Sequence, residues 1–345
     1  MTITRIAIAG SGAVGSNVGA LLTRAGHDVT LIEGWPEHVD AMGETGLRIE
    51  MQEETFRTAV KAVHLYEVCT LSETFDIVLL QCKSYDSRWM AELIKPYMAP
   101  NGVLVSVQNS VNEDWLVPIL GRERVLGCVL TISCELWDPG RAKRNSAFDE
   151  IAFTVGELSG EITDRAKQVA EILSAAGRSD VTGNLIGARW SKLVLNSMDM
   201  PIAALTRQTA REVVRDSDCM KACMVLGSES LSVALALGIN IEPIFGLTAE
   251  DFRAEPDEVL NRLMARLAER VRDARGAHWY DLVKGRRTEI DYLNGYVVDK
   301  GKQVGVPTPA NAALTDLIHG LERKDIQSDR SNLRLLEPAL EDQIR

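Results

Sequence analysis

The 345-residue sequence has no C-x-x-C cysteine pair, no apolar run of about 18 residues and no surplus of positive charge. The six cysteines (Cys69, Cys82, Cys128, Cys134, Cys219 and Cys223) stand mostly among apolar neighbours. Cys219 and Cys223 share a helix face, but no histidine is near them to complete a zinc set, so no metal site is expected and buried thiols in a reducing cytoplasm are. A formal net charge of -11 argues against a nucleic-acid partner, which would want a basic face. The chain opens directly on an extended apolar stretch, which leaves no room for a signal peptide, and no internal repeat is visible. A soluble, cytoplasmic protein without a membrane segment is the expectation.

What is present is organised around residues 4–33. RIAIA at 5–9 suits a buried parallel strand, and GSGAVG at 10–15 follows without a spacer. The helix it opens, predicted over 14–25, carries Val18, Leu21 and Leu22 on one face; VTLI at 29–32 resumes an extended run that ends on Glu33. Each part has a physical task in holding a dinucleotide. Gly10 permits the turn, Gly12 lets a pyrophosphate approach the backbone, and Gly15 lets the helix pack on the strand. Ser11, Ala13 and Val14 complete the loop and the first helical turn, whose N–H groups and partial positive charge suit phosphate. Glu33 stands where a carboxylate can accept from an adenosine ribose 2′-hydroxyl and would repel a 2′-phosphate, so NAD(H) is favoured, with NADP(H) the alternative.

The remaining chain divides in two, as its length suggests. A short helix over 35–42, a hairpin of 46–50 with 56–60, and strands at 75–82, 103–107, 125–132 and 151–155 surround the nucleotide unit, with 134–136 read as continuing the third of these strands and 151–155 as its partner. Residues 100–102 read as a turn, 162–176 as a helix and 177–185 as a link. Lys83 and Asn109 follow apolar strands and thus belong at the carboxyl ends of a parallel sheet, where ligands sit. Strand patterns stop near Asn184, giving a domain over 1–184. From 188 the periodicity is helical: 220–237 reads as a central helix interrupted by Ser228-Glu-Ser, followed by helices over 256–275, 281–304 and 314–323. The second domain is drawn over 185–330, and 331–345 as a loosely held charged tail. Lys192 and Asn196 lie one turn apart on one helix face; Glu289 and Asp291 are read into a later helix in which Gly285 is an unusual early residue. Taken bare, these are ordinary charged helices.

The motifs together resemble the ketopantoate reductase (2-dehydropantoate 2-reductase) family: GSGAVG at 10–15, CKSY at 82–85, QN at 108–109, WSKLVLN at 190–196 and GRRTEIDYLNG at 285–295, in that order. The resemblance covers about residues 3–323. It implies an α/β Rossmann domain followed by an all-α domain like that of 6-phosphogluconate dehydrogenases, with the active site in the cleft between them. It also implies Lys192 as the general acid that protonates the forming alkoxide, held by Glu289. Asn109 would stand near the nicotinamide, Lys83 at the boundary of cofactor and substrate, and Asn196 on the substrate. An ammonium at a carbonyl that receives hydride stabilises negative charge that builds in the transition state, which accords with that role.

Two positions depart from the family pattern. Met200 stands where a second asparagine is usual, two turns after the lysine, and Ala277-His278 stands where Ser-Met is usual. A donor lost from a desolvated pocket removes on the order of 1 to 3 kcal/mol of binding. A more apolar or less hydroxylated 2-oxo acid or ketone is therefore expected in place of ketopantoate, with His278 as a replacement donor. The expectation is an NAD-dependent oxidoreductase acting on a small molecule, assembled as a homodimer. The alternatives are an NADPH-dependent 2-dehydropantoate 2-reductase and a non-catalytic dinucleotide-binding sensor or scaffold; retention of Lys192, Asn196 and Glu289 together argues against the last.

Overall fold

The computed structural model describes residues 4–243, 256–270 and 275–341. The chain forms two compact units, Met1–Leu185 and Ile186–Arg345.

The first unit runs β1 (Arg5–Ala9), α1 (Ala13–Arg24), β2 (Asp28–Glu33), α2 (Pro36–Thr45), β3 (Leu47–Glu50), β4 (Thr55–Thr58), β5 (Lys61–His64), β6 (Phe75–Leu80), α3 (Ser87–Ile94), β7 (Met98–Ser106), α4 (Glu113–Leu120), β8 (Val125–Leu130), β9 (Cys134–Asp138), β10 (Arg141–Arg144), β11 (Ile151–Glu157), α5 (Asp164–Ser174) and β12 (Arg178–Thr182). Eight strands form one sheet in the order β12-β11-β8-β7-β6-β1-β2-β5, parallel except where β11 runs against β8. Helices cover both faces, which is why the central strands are apolar on successive residues. Ile6 and Ile8 of β1 pack with Val18, Leu21 and Leu22 of α1, whereas Ala7 and Ala9 face the other layer, with Met90 and Ile94 of α3 and Leu116 of α4.

A second sheet, β4-β3-β10-β9, is built from two distant stretches. It packs on α1, with Leu47, Ile49, Leu136 and Ala142 in the same cluster as Val18 and Leu21. Helix α1 is thus enclosed, and its residues from Gly15 to Leu22 are all buried. Here the structure corrects the reading of 134–136 as a continuation of the preceding strand. The chain leaves the large sheet after Leu130, and β9 pairs instead with β10. Residues 100–102 lie within the bounds of β7 rather than forming a separate turn, and the presumed link over 177–185 contains β12, the edge strand beside β11.

The second unit is helical: α6 (Leu185–Thr206), α7 (Ala210–Arg215), α8 (Ser217–Ala236), α9 (Pro256–Arg270), α10 (Ala277–Val283), α11 (Asn294–Val304), α12 (Pro309–Glu322) and α13 (Leu333–Glu341). Of the helix predicted over 256–275, residues 271–274 lie outside the described residues. Helix α8 is long and apolar enough by composition to cross a membrane. It is a core helix all the same, packed against α9, α11, α12 and α13, with Cys223, Leu226 and Leu231 buried. Its buried Glu229 accepts from the backbone N–H groups of Ala310 and Asn311, both at 2.9 Å, so one helix supplies the N-terminal cap of another.

Two expectations for this unit are corrected. The predicted helix over 281–304 is broken. Gly285 takes φ +65 just after α10, with its N–H donating to the Leu282 carbonyl and that of Arg286 to the Asp281 carbonyl at 2.8 Å, so the helix terminates in a Schellman turn. Glu289 consequently lies in the turn before a short 3-10 segment, not within a helix. The region drawn as a loose tail from 331 is anchored as far as 341. Asn332 Nδ2 donates to the Leu205 carbonyl at 3.1 Å, Arg330 grips Asp216 through Nε and Nη2, and Leu333 and Leu336 of α13 are buried. Residues 342–345 lie outside the described residues.

Candidate active site

Strands β7, β6, β1 and β2 are adjacent and parallel, so their carboxyl ends line one edge of the sheet. Along that edge stand Asn109, Lys83, the glycine loop and Glu33, in spatial order. The chain passes from β1 to β2 on one side and from β6 to β7 on the other, which makes the β1/β6 boundary the switch point where α/β sheets bind ligands.

The loop geometry fits a dinucleotide. Gly10 takes φ +97, and a Cβ there would lie 2.5 Å from the Cys82 nitrogen, so only glycine allows the two strand ends to approach. A Cβ on Gly15 would lie 2.3 Å from the Gly10 carbonyl. Gly12 differs from both, because nothing lies within 4 Å of where its Cβ would be, and it stands at the N-cap of α1. Open space over the amino end of a helix is what a pyrophosphate requires. The N–H groups of Gly10 and Ser11 both donate to the Ile32 carbonyl, at 3.0 and 3.1 Å, which holds the loop against β2; Ala13 and Val14 begin the helix.

Glu33 Oε1 accepts from the N–H groups of Gly34 at 2.8 Å and Trp35 at 3.1 Å. The carboxylate is thereby fixed at the end of β2. Lys83 and Asn109 are half-buried and follow neighbouring strands, and a polar network missed by sequence reasoning ties their loops together. Gln108 Nε2 donates to the Cys82 carbonyl at 2.7 Å and to Ser87 Oγ at 2.8 Å; Asn112 Nδ2 donates to the Asn109 carbonyl at 2.6 Å and to Ser84 Oγ at 3.3 Å. Ser110, next to Asn109, takes φ 69, a conformation costly for a non-glycine residue. Isolated Gln, Asn and Ser in loops leave no periodic trace in a sequence.

In the helical unit, α6 carries Lys192, Asn196 and Met200 on successive turns, with Lys192 half-buried and Asn196 buried. The turn that holds Glu289, itself buried, is fastened to this helix. Asn294 Nδ2 donates to the Ser197 carbonyl at 3.0 Å, and the rings of Trp190 and Tyr296 lie 5.8 Å apart. The 190–196 and 285–295 motifs, about a hundred residues apart in the chain, are therefore neighbours. So are the two departures noted above: a Cβ on Gly276 would lie 3.2 Å from the backbone and side chain of Met200, so Met200 packs directly against the start of α10. His278, the second residue of α10, is buried. Sequence reasoning passed over Asp199, which stands two turns beyond Lys192 and whose carboxyl burial pushes up to about 6.

The profile of the family described as ketopantoate reductase PanE/ApbA matches residues 6–160, and that of its C-terminal domain matches residues 184–322. A 2-dehydropantoate 2-reductase of Archaeoglobus fulgidus is 30% identical over 325 residues, covering 93% of this chain and 99% of the relative. The chain belongs to the ketopantoate reductase family. It is accordingly a pyridine-nucleotide-dependent oxidoreductase acting on CH–OH groups, with the family's parallel-sheet and helical domains. The crystal structure of a PanE/ApbA family ketopantoate reductase from Ralstonia eutropha superposes with a TM-score of 0.79 at 30% identity, over 93% of this chain and 99% of that one. A D-mandelate dehydrogenase, solved with NADH and anilino(oxo)acetate, gives a TM-score of 0.82 at 24% identity, covering 93% and 99%. That likeness shows the shared fold.

Proposed function

We propose that this ketopantoate reductase family member is an NAD-dependent enzyme that interconverts a 2-oxo acid, or a related ketone, with its hydroxy counterpart, and that this substrate is not ketopantoate. Gly10, Ser11, Gly12, Ala13, Val14 and Gly15 hold the pyrophosphate, and Glu33 accepts from the adenosine ribose. A bound nicotinamide supplies or accepts the hydride. Lys192 donates a proton to the substrate oxygen in reduction and removes it in oxidation, Glu289 orients the ammonium, and Asn196 hydrogen-bonds the substrate. Asn109 and Lys83 serve the sheet side of the site.

The observation that carries the change of substrate is the contact of Met200 with Gly276. Met200 lies against Gly276, the residue immediately before Ala277 and His278, so the two positions that lack the family's polar groups adjoin, which supports a coherent change of pocket chemistry over two unrelated losses. NAD preference is supported by Glu33, whose carboxylate two backbone N–H groups hold in place and which would repel a 2′-phosphate. We further read the protein as a soluble, cytoplasmic homodimer with neither nucleic-acid nor membrane partners; light scattering tests the assembly. NADPH-dependent reduction of ketopantoate is the second reading, its substrate favoured by the activity named for the Archaeoglobus relative.

One experiment separates them. NADH and NADPH absorbance is followed with a panel of 2-oxo acids and simple ketones, for the wild type and Lys192→Ala. Oxidation of NADH by one substrate, reduced by about 10²- to 10⁴-fold in the variant while nucleotide binding persists, supports the proposal. Turnover of ketopantoate with NADPH establishes the second reading. Tight nucleotide binding without turnover across the panel would favour a non-catalytic dinucleotide sensor and defeat both.

A further inference from the structure

His38 falls within the short helix predicted over 35–42, and it is buried completely beneath the glycine loop. Its Nδ1 accepts from the backbone N–H of Gly140 at 2.8 Å. An imidazolium could not accept there, so the ring is neutral and its proton sits on Nε2. That nitrogen lies 2.9 Å from Ser16 Oγ and 3.2 Å from the Ser11 carbonyl, to which the Ser16 hydroxyl itself donates at 2.7 Å. Burial pushes the ring down to about 4, in keeping with a neutral donor held in a dry setting.

The consequence follows from the planarity of one peptide. In a trans peptide the C=O and the next N–H point in opposite directions. Pinning the Ser11 carbonyl inward, on His38 and Ser16, turns the Gly12 N–H the other way, away from the buried imidazole. The same imidazole stacks on Trp35, centroids 5.6 Å apart at 28°, and the Trp35 N–H is one of the two that hold Glu33. One ring thus braces both the phosphate end and the ribose end of the cofactor cradle, and Gly140 braces the ring from the small sheet.

We propose that His38 is a positioning residue for the dinucleotide: as a neutral Nε2–H donor it sets the direction of the Gly12 N–H and the seat of Glu33. This rests on reading the glycine loop as the pyrophosphate site. The test is a fluorescence titration of the purified full-length protein with NADH and with NADPH. Variants are His38→Phe, which keeps a ring to stack but removes the polar contacts, and His38→Gln, which restores an amide donor. Ser16→Ala removes the second donor to Ser11. Melting temperature is recorded for each.

The expected result is a dissociation constant about tenfold higher for His38→Phe, a smaller rise for Ser16→Ala, and recovery of most of the loss in His38→Gln. A folded His38→Phe that binds as the wild type does, or a His38→Gln that loses as much as the phenylalanine variant, overturns the proposal. Should His38→Phe fail to fold, unchanged binding in Ser16→Ala, or a loss in His38→Gln out of step with its melting temperature, overturns it equally. Gly12→Val separates the two readings. If it binds nucleotide undiminished, the loop is not the phosphate site; if it alone loses binding, the loop reading stands and the role of His38 falls.

Discussion

In the sheet unit the glycine turn and Glu33 are fixed largely by backbone. Gly10 is folded against Cys82, Ser11 is held by Ile32, and Glu33 is fastened by the two amides that follow it. In the helical unit the candidate groups are fixed by side chains that cross between helices: Asn294 to the Ser197 carbonyl and to Asn311 Oδ1, and Asn311 in turn to Glu229. A backbone constraint is written at one position in the chain, usually as glycine, and admits almost no substitute. A side-chain tie needs two residues that the chain keeps far apart, and it can be weakened in steps. The difference predicts how each half should fail.

The largest effect expected is at Lys192, where the alanine variant described above should lose activity by orders of magnitude while the sheet unit still binds nucleotide. Next comes Gly10→Ala. The new Cβ meets backbone in a left-handed conformation, so a loss of about 3 kcal/mol or more in chemical denaturation is expected. Gly12→Ala, with open space about it, should stay within about 0.5 kcal/mol of the wild type in the same measurement. Equal losses at the two glycines would end the distinction between a constrained and an open position.

A comparable amount of stability depends on pH through His38. Its ring stays neutral in the folded protein down to about 4, whereas in the unfolded chain it takes a proton near 6.5. Below that value the unfolded state binds more protons, so stability falls as pH drops from about 6.5 to about 4, by on the order of 3 kcal/mol from this group. His38→Gln should lack that component when denaturation curves of the two proteins are compared across this range; identical pH dependences refute it. Asn294→Ala should lose somewhat less, about 2 kcal/mol, and lower turnover without weakening nucleotide binding, because the Glu289 turn is loosened from α6. Retention of full turnover would mean that this tie does not orient the site.

The same contrast explains what could be read from the sequence. The first βαβ unit was legible because apolar runs and glycines sit where the fold needs them, and the helical half was legible from its periodicity. β10, with the sequence RAKR, was not. Its Arg144 is buried, but each of its three guanidinium nitrogens donates to a carbonyl, those of Ser146, Ala176 and Ala147, so it leaves no apolar signature. Strands β5 and β12 end the large sheet, and with a neighbour on one side only they tolerate polar residues. Glu289 was read into a helix because 281–304 keeps helical spacing on either side of Gly285; one left-handed residue interrupts it. α13 follows a charged stretch and contains Pro338, yet Leu333 and Leu336 suffice to seat it. His38 drew no notice, since a single histidine in a polar helix carries no spacing.

The bond from Gly140 to His38 spans 102 positions of chain, and β3 finds its partner β10 across a similar gap. Closing such loops is slow and comes only when both ends have been brought together by the surrounding structure. The glycine turn, though encoded within the first fifteen residues, therefore has its full set of supports only when the stretch through Gly140 is in place. Capture of the nucleotide becomes a report that the whole domain is finished, and a nascent or damaged chain lacking the later stretch would have the motif without the grip.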